Sequence, residues 1–116
     1  KFTFKGKKLW ESKRLLNDTK LLENAGVFSI VLECVETKLS KKISSHIKVP
    51  TIGIGSSVNC DGQVLVIDDL TGLSQSKLKF VKKFVDITKL IEIGVKKYKS
   101  EVLNKQFPKA KHSFLK

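Results

Sequence analysis

The sequence has no methionine, a single arginine, two prolines and two cysteines. Each scarcity narrows the possibilities. Without methionine there is no initiator, and the 116 residues read as a fragment of a longer protein. The two cysteines, Cys34 and Cys60, share no metal-ligand spacing with each other or with His46 and His112. The start, KFTFKGKK, is basic with no apolar stretch after it, so no secretory leader is expected. The cysteines then read as reduced thiols of a cytoplasmic protein. Long apolar runs are missing too, and no membrane partner is expected.

The shortage of arginine bears on the charge. The net charge is +12, from 23 basic and 11 acidic residues, yet Arg14 is the one arginine among the basic residues. Nucleic-acid readers lean on arginine for bidentate contacts and on aromatics for stacking. Lysines spread along helix faces read instead as a solvated surface, and no nucleic-acid partner is expected. A basic nucleic-acid-binding module stands as the alternative.

What is present is a globular composition, 41% hydrophobic and 29% charged. Leu15, Leu16, Leu22 and Ala25 recur near helical spacing, which predicts a helix over 12–25 with Gly26 as its C-cap glycine. The run Val27 to Val35 has strand length and the near-continuous apolar character of a parallel strand covered on both faces. Leu39, Ile43 and Ile47, four apart, predict a helix ended by Pro50. TIGIG, 51–55, and QVLVI, 63–67, read as buried strands, and SSVNCDG and DDLTGLS as loops. Residues 77–107 read as helix with a break near 86–89, and the tail PKAKHSFLK as irregular. Helices alternating with strands predict an α/β fold of parallel βα units. A closed (β/α)8 barrel needs eight strands and typically ~250 residues, so this chain is less than half of one.

In such folds reactive groups gather at the carboxyl ends of strands. Glu33 ends the apolar run VFSIVLE. An ionised carboxylate there costs several kcal/mol unless something uses it. Strand alternation places Val31 with Glu33 on one face, and Leu32 with Cys34 on the other, under the helices. Cys34 is thus a packing residue in the first instance. Glu33 on pattern alone is equally a helix N-terminal acid or half of a structural ion pair. The glycines of GIGSSVNCDG form neither a phosphate loop nor a dinucleotide fingerprint. They give backbone room, for a neighbouring chain segment or for a substrate, and Asp61 before Gly62 fits a turn. His46 reads as a helix surface residue.

AGVFSIVLECV, VPTIGIGSSVNCDGQVLV, DDLTGL, KFVKKF, FP and HSF follow in this order and spacing. Together they resemble the carboxyl half of the ketopantoate hydroxymethyltransferase family, from about Lys5 to Phe114. The resemblance implies the carboxyl-terminal portion of a (β/α)8 TIM barrel, with residues 1–116 a single partial domain. It implies hydroxymethyl transfer from 5,10-methylenetetrahydrofolate to 3-methyl-2-oxobutanoate, giving ketopantoate, the first step of pantothenate biosynthesis. It implies a cytoplasmic homo-oligomer, decameric in the bacterial family. Glu33 matches the glutamate of the family's LEC motif, the proton acceptor. The resemblance further implies a Mg²⁺ that binds the keto acid and would stabilise its enolate, with ligands in the amino half of the family's barrel, so none is assigned in this chain. Ser56 and Ser57 stand where the family usually has Ala-Gly, and Asp68 where His commonly precedes the acid matching Asp69. The resemblance assigns no role to Ser56, Ser57, Asp61 or Asp68. Another Mg²⁺-enolate C–C bond enzyme of the same superfamily is a further alternative.

Overall fold

The computed structural model describes residues 3–114. They form a mixed α/β structure in the order α1 (Leu9–Asn24), β1 (Ile30–Glu33), α2 (Thr37–His46), β2 (Thr51–Ile54), β3 (Gly62–Gln63), α3 (Ile67–Thr71) and α4 (Ile87–Leu103), with a 3-10 turn at Ala110–His112. Among the described residues the strands make one parallel sheet, β1-β2-β3. Ile30 pairs with Thr51 and Glu33 with Ile54, while Ile52 pairs with Gly62. The chain divides into two compact units, residues 1–66 with 76–82, and residues 67–75 with 83–116.

The first unit holds the sheet, α1 and α2. Helix α1 starts at Leu9, three residues before the expected Ser12, and its first turn is tied down locally. The Gly6 N–H donates to Glu11 Oε2 at 2.9 Å, and Ser12 Oγ donates to Gly6 O at 2.7 Å. Its end follows the expectation. Gly26, at φ +85°, donates to Glu23 O at 3.0 Å, and Val27 donates to Leu22 O at 3.4 Å. This pair of bonds is the Schellman arrangement, which needs a left-handed residue just past the helix and so favours glycine.

Strand β1 is shorter than the apolar run 27–35. Val27 is taken by the helix cap, and Cys34 leaves the extended conformation at φ +52°. Along the strand burial alternates, with Ile30 and Leu32 buried and Val31 and Glu33 exposed. Ile30 and Leu32 face the core with Val35, Leu39, Ile43, Ile47 and Cys60, and Leu15, Leu16, Val27 and Val49 pack around it. Helix α2 contributes Leu39 and Ile43 at the expected spacing of four. Its N-terminus is capped by Glu36, whose Oε2 accepts the Leu39 N–H at 2.9 Å.

A chain of polar groups joins α2 to the start of β2. Ser44 and Thr51 hydroxyls stand 2.8 Å apart. Asp61 Oδ2 accepts from the Thr51 N–H at 2.7 Å and from its hydroxyl at 3.0 Å. Thr51 is fully buried, so these partners replace water for it.

Strand β3 is two residues long rather than the expected 63–67. Among the described residues β3 has no neighbour on its far side. Val64, Val66 and Ile67 are exposed, and DDLT forms the short helix α3 instead of a loop. Thr71 Oγ1 donates to Ile67 O at 2.7 Å within that turn, and Asp68 and Asp69 sit in its first turn, where acids suit the helix dipole.

The second unit holds α3, α4 and the tail. The helix expected over 77–107 starts at Ile87. Asp86 ends the irregular stretch before it by accepting the Lys89 N–H at 3.2 Å as N-cap. Phe84 donates its N–H to Leu70 O at 2.9 Å, which a helical residue would have kept for its own helix. In the tail, Phe107 packs edge-on against Tyr98 at 5.6 Å and lies 5.2 Å from the His112 ring. The last two residues of PKAKHSFLK lie outside the described residues. No helix among the described residues is long and apolar enough to cross a membrane.

Two predictions follow from the polar links. Thr51→Val keeps the shape but leaves the Ser44 hydroxyl and Asp61 short of a partner, so urea unfolding is expected to show a loss of about 1–3 kcal/mol. The second concerns acid. Thr51 N–H holds the Asp61 carboxyl below its ordinary range, the Lys38 and Leu39 N–H groups lower Glu36, and the Lys48 N–H lowers Glu23. Each group binds its proton more weakly folded than unfolded. The stability they add is present above the unfolded carboxylate range near pH ~4 and is lost as pH falls through the lower folded values. The urea midpoint is expected to hold from neutral pH to about pH 5, then fall steadily in acid.

Candidate active site

The expected site residue, Glu33, is the last residue of β1 and lies on the exposed face of the strand with Val31. In register beside them stand Ile54 and Ile52, both half-buried. The sheet therefore has one face covered by α1 and α2 and one face without a covering layer in this unit. Among the described residues no hydrogen bond or ion pair engages the Glu33 carboxylate. Glu36, three residues on, is the acid that caps the helix.

Beyond Glu33 the backbone turns sharply. Cys34 at φ +52° is in the left-handed region, which costs an L-residue roughly 1–2 kcal/mol. The turn is held on three sides. Cys34 donates its N–H to Ile54 O at 2.9 Å, and Lys5 donates to Cys34 O at 2.7 Å. Glu36 donates to Lys5 O at 2.8 Å. Ser56 Oγ donates to Leu32 O at 2.7 Å and accepts the Val35 N–H at 3.1 Å.

Cys34 is expected under the helices by strand alternation, but it lies past the end of β1; it is 9% exposed and borders a cleft beside the turn. Burial, and secondly the neighbouring Glu33 charge, push its thiol above the ordinary range. The thiol therefore stays protonated at neutral pH, which suits packing rather than nucleophilic attack. Cys60 is likewise buried and free.

A cleft of about 910 Å³ opens beside the turn, bounded by Phe4, Glu36, Ser57, Lys79 and Phe80 among others. Cys34, Val35 and Ser56 of the turn line it, and Glu33 does not. The cleft is walled by the turn after β1, the start of α2, the loop after β2, Gln63 of β3 and residues 77–80, and Gly55 allows one wall to close in. A Cβ there would come within 2.7 Å of the Phe80 ring, and Gly55 holds φ +62°. Ser57, buried, forms a local turn by accepting the Asn59 N–H at 3.1 Å, and Gln63 Nε2 donates to Ser57 O at 2.8 Å. These bonds give Ser57 and Asp61 structural work in the loop. Asp68 and Asp69 belong to the second unit, where Ser74 donates its hydroxyl to Asp69. His46 is exposed on α2 beside Lys42 O, as expected.

Sequence reasoning missed the tie from Ser56 to Leu32 and Val35 and the seat of Phe80 over Gly55. The first had one signal, a hydroxyl directly after a strand-ending glycine. The second had none, because Phe80 lay in a stretch read as helix. Among the described residues no three His, Cys, Asp or Glu side chains gather to hold a metal ion.

The family model described as Ketopantoate hydroxymethyltransferase matches residues 1–110. The chain belongs to the ketopantoate hydroxymethyltransferase family. Its sequence is 58% identical over 113 residues to the 3-methyl-2-oxobutanoate hydroxymethyltransferase of Pelagibacter ubique, covering 97% of this chain and 44% of that protein. It is 50% identical over 114 residues to the enzyme of that name from Carboxydothermus hydrogenoformans, covering 97% and 41%. The same-named protein of Clostridium botulinum is also 50% identical, over 97% of this chain and 42% of its own length. The chain thus spans less than half the length of these curated relatives. Members of the ketopantoate hydroxymethyltransferase family are matched through the whole β1-turn-α2 segment, so Glu33 and its turn lie inside the shared region.

Gly55→Ala tests the cleft. It is expected to lower stability by about 1–2 kcal/mol from the left-handed backbone alone, with more from the displaced ring. Adding Phe80→Ala removes the collision, so the double variant should lose less than the sum of the two single losses in urea titrations.

Proposed function

We propose that this chain is the carboxyl-terminal part of a (β/α)8 barrel that transfers a hydroxymethyl group to 3-methyl-2-oxobutanoate, with Glu33 as the base. The observation that carries the reading is the position of Glu33. It ends a parallel strand, on the exposed face, with no hydrogen-bond or ion-pair partner among the described residues. A carboxylate kept free at a strand's carboxyl end suits a reactive group better than a structural one. The names of the matched relatives supply the reaction. Residues 1–116 are read as one partial domain, and the exposed sheet face of Val31 and Glu33 as a wall of the barrel interior.

The chemistry follows from the substrate. The C3 hydrogen of 3-methyl-2-oxobutanoate is acidic because it neighbours a ketone. The Glu33 carboxylate takes that proton, and the electron pair left on C3 spreads into the ketone as an enolate. C3 then forms a bond to the methylene carbon carried by 5,10-methylenetetrahydrofolate. The carbon–nitrogen bonds to the folate break, water supplies the hydroxyl, and the folate nitrogens recover the protons. An enclosing barrel would strip water from Glu33 and make it a stronger base. Mg²⁺, when bound, supplies charge stabilisation for an enolate. We assign its ligands to residues outside this chain. The same reading makes the protein a cytoplasmic homo-oligomer.

The test is deuterium exchange at C3 of 3-methyl-2-oxobutanoate, followed by NMR with the full-length protein that carries this chain. Glu33→Gln keeps the size of the side chain but cannot accept the proton, and exchange is expected to slow by ~10²–10⁴-fold. Exchange at the unaltered rate would remove Glu33 from the role.

A further inference from the structure

The cleft beside the turn has the size of a ligand site and a polarity that points to one kind of occupant. Its volume, about 910 Å³, lies within the usual span of small-molecule pockets, roughly 300–1,000 Å³. It belongs wholly to the first unit, because residues 77–80 group with the sheet. One wall is the turn, where Cys34 and Val35 follow directly on Glu33. Phe4 and Phe80 add ring surface, and Leu78 adds aliphatic surface. Lys77 and Lys79 add charge. Both are exposed, and among the described residues neither amino group has a hydrogen-bond or ion-pair partner. The lining holds one acid, Glu36, whose Oε2 accepts the Leu39 N–H at 2.9 Å as the cap of α2. The positive end of that helix offsets the Glu36 charge. The two lysines therefore set the sign of the cleft.

We propose that this cleft receives the one-carbon donor, with the donor's glutamate tail against Lys77 and Lys79. This rests on the reading of the chain as part of a hydroxymethyltransferase that uses a reduced folate. Such a folate is elongated, with a fused heterocycle at one end, a benzoyl ring in the middle and a glutamate with two carboxylates at the other end. Two ammonium groups match two carboxylates, and the Phe4 and Phe80 rings offer a surface for the benzoyl ring. The keto acid is short and carries no ring, and it leaves most of a cleft this large unfilled. The same residues give the donor's direction. Its reactive carbon sits on the heterocycle, and that end must reach the carbon from which Glu33 takes a proton. A tail held at Lys77 and Lys79 leaves the wall of Cys34 and Val35, next in the chain to Glu33, for the heterocycle.

The experiment uses the full-length protein that carries this chain, unaltered and as Lys77→Gln, Lys79→Gln and the double variant. Tetrahydrofolate is titrated into each by calorimetry in the presence of 3-methyl-2-oxobutanoate, with which it does not react in the absence of its one-carbon unit. The titrations are repeated with tetrahydropteroate, the same molecule without its glutamate. Each single variant is expected to raise the tetrahydrofolate Kd by about 2- to 5-fold, and the double variant by about 5- to 25-fold, as for ion pairs at exposed positions. The difference is expected to shrink at high salt, which screens such pairs. Tetrahydropteroate is expected to bind the unaltered protein more weakly than tetrahydrofolate does, and to bind all four forms alike, because the lysines have no tail to meet. Both lysines are exposed, so the substitutions are compatible with folding, and the urea midpoint of each variant checks this. A tetrahydrofolate Kd in the double variant equal to that of the unaltered protein overturns the inference. An equal loss for tetrahydropteroate also overturns it, since the lysines then act on something other than the tail. C3 deuterium exchange separates this result from the proposed reaction. Exchange present with every Kd unchanged removes the cleft alone, whereas exchange absent from the unaltered protein removes the reaction and leaves the titrations to decide what the cleft binds.

Discussion

The left-handed turn at Cys34 is the constraint around which the first unit is organised. A strand that continued extended would have carried the chain past the sheet. Cys34 at φ +52° ends it after four residues and sends the backbone directly into α2, whose cap, Glu36, follows two residues later. The cost of the conformation, roughly 1–2 kcal/mol, is offset by bonds from three separate segments, at Lys5, Ile54 and Ser56. Burial adds to it, since the Cys34 side chain and Val35 both enter the core. The result is a carboxylate at the rim of a strand whose neighbours on either side in sequence are immobilised and whose own side chain is free.

Much of this was legible in the residues. The alternation of Val31, Leu32 and Glu33 gave their facing correctly, because a side-chain period of two holds for any strand, while Cys34 lies past its end. Gly26 announced the end of α1 because few residues other than glycine suit that position. The stretch 77–86 was misread for an equally physical reason. Val81, Phe84 and Val85 repeat at helical spacing, but periodicity records which residues are apolar and not what they pack against. Phe80 is held over Gly55, and Phe84 spends its N–H on Leu70, so the helix waits for the Asp86 cap. The β3 run was overread because β-branched residues mark strand preference without supplying a neighbour to pair with. The Ser56 clamp joins residues 21 and 24 positions apart, a distance at which no local pattern speaks.

The functional reading combines two kinds of support. Membership in the ketopantoate hydroxymethyltransferase family names a reaction class, and Glu33, at the carboxyl end of β1 on its exposed face, is the carboxylate we propose as the base. The cleft beside the turn adds a separate element. Its walls include Cys34, Val35 and Ser56 of the turn as well as Gly55, Ser57 and, from β3, Gln63, so the cleft and the turn after Glu33 share residues.

The polar chain Ser44–Thr51–Asp61 has a consequence for how the sheet assembles. Strand β2 reads TIGI, short and with a glycine in its middle, and such a strand offers little side-chain bulk to define which residue pairs with which. Sliding it by one position against β1 would turn Thr51 away from α2 and leave two hydroxyls and a carboxylate without partners in a dry interior. The wrong alignments are therefore penalised by polarity rather than by shape. The chain can carry a thin, glycine-bearing strand at the heart of its sheet because an error of one residue there is expensive at its first residue.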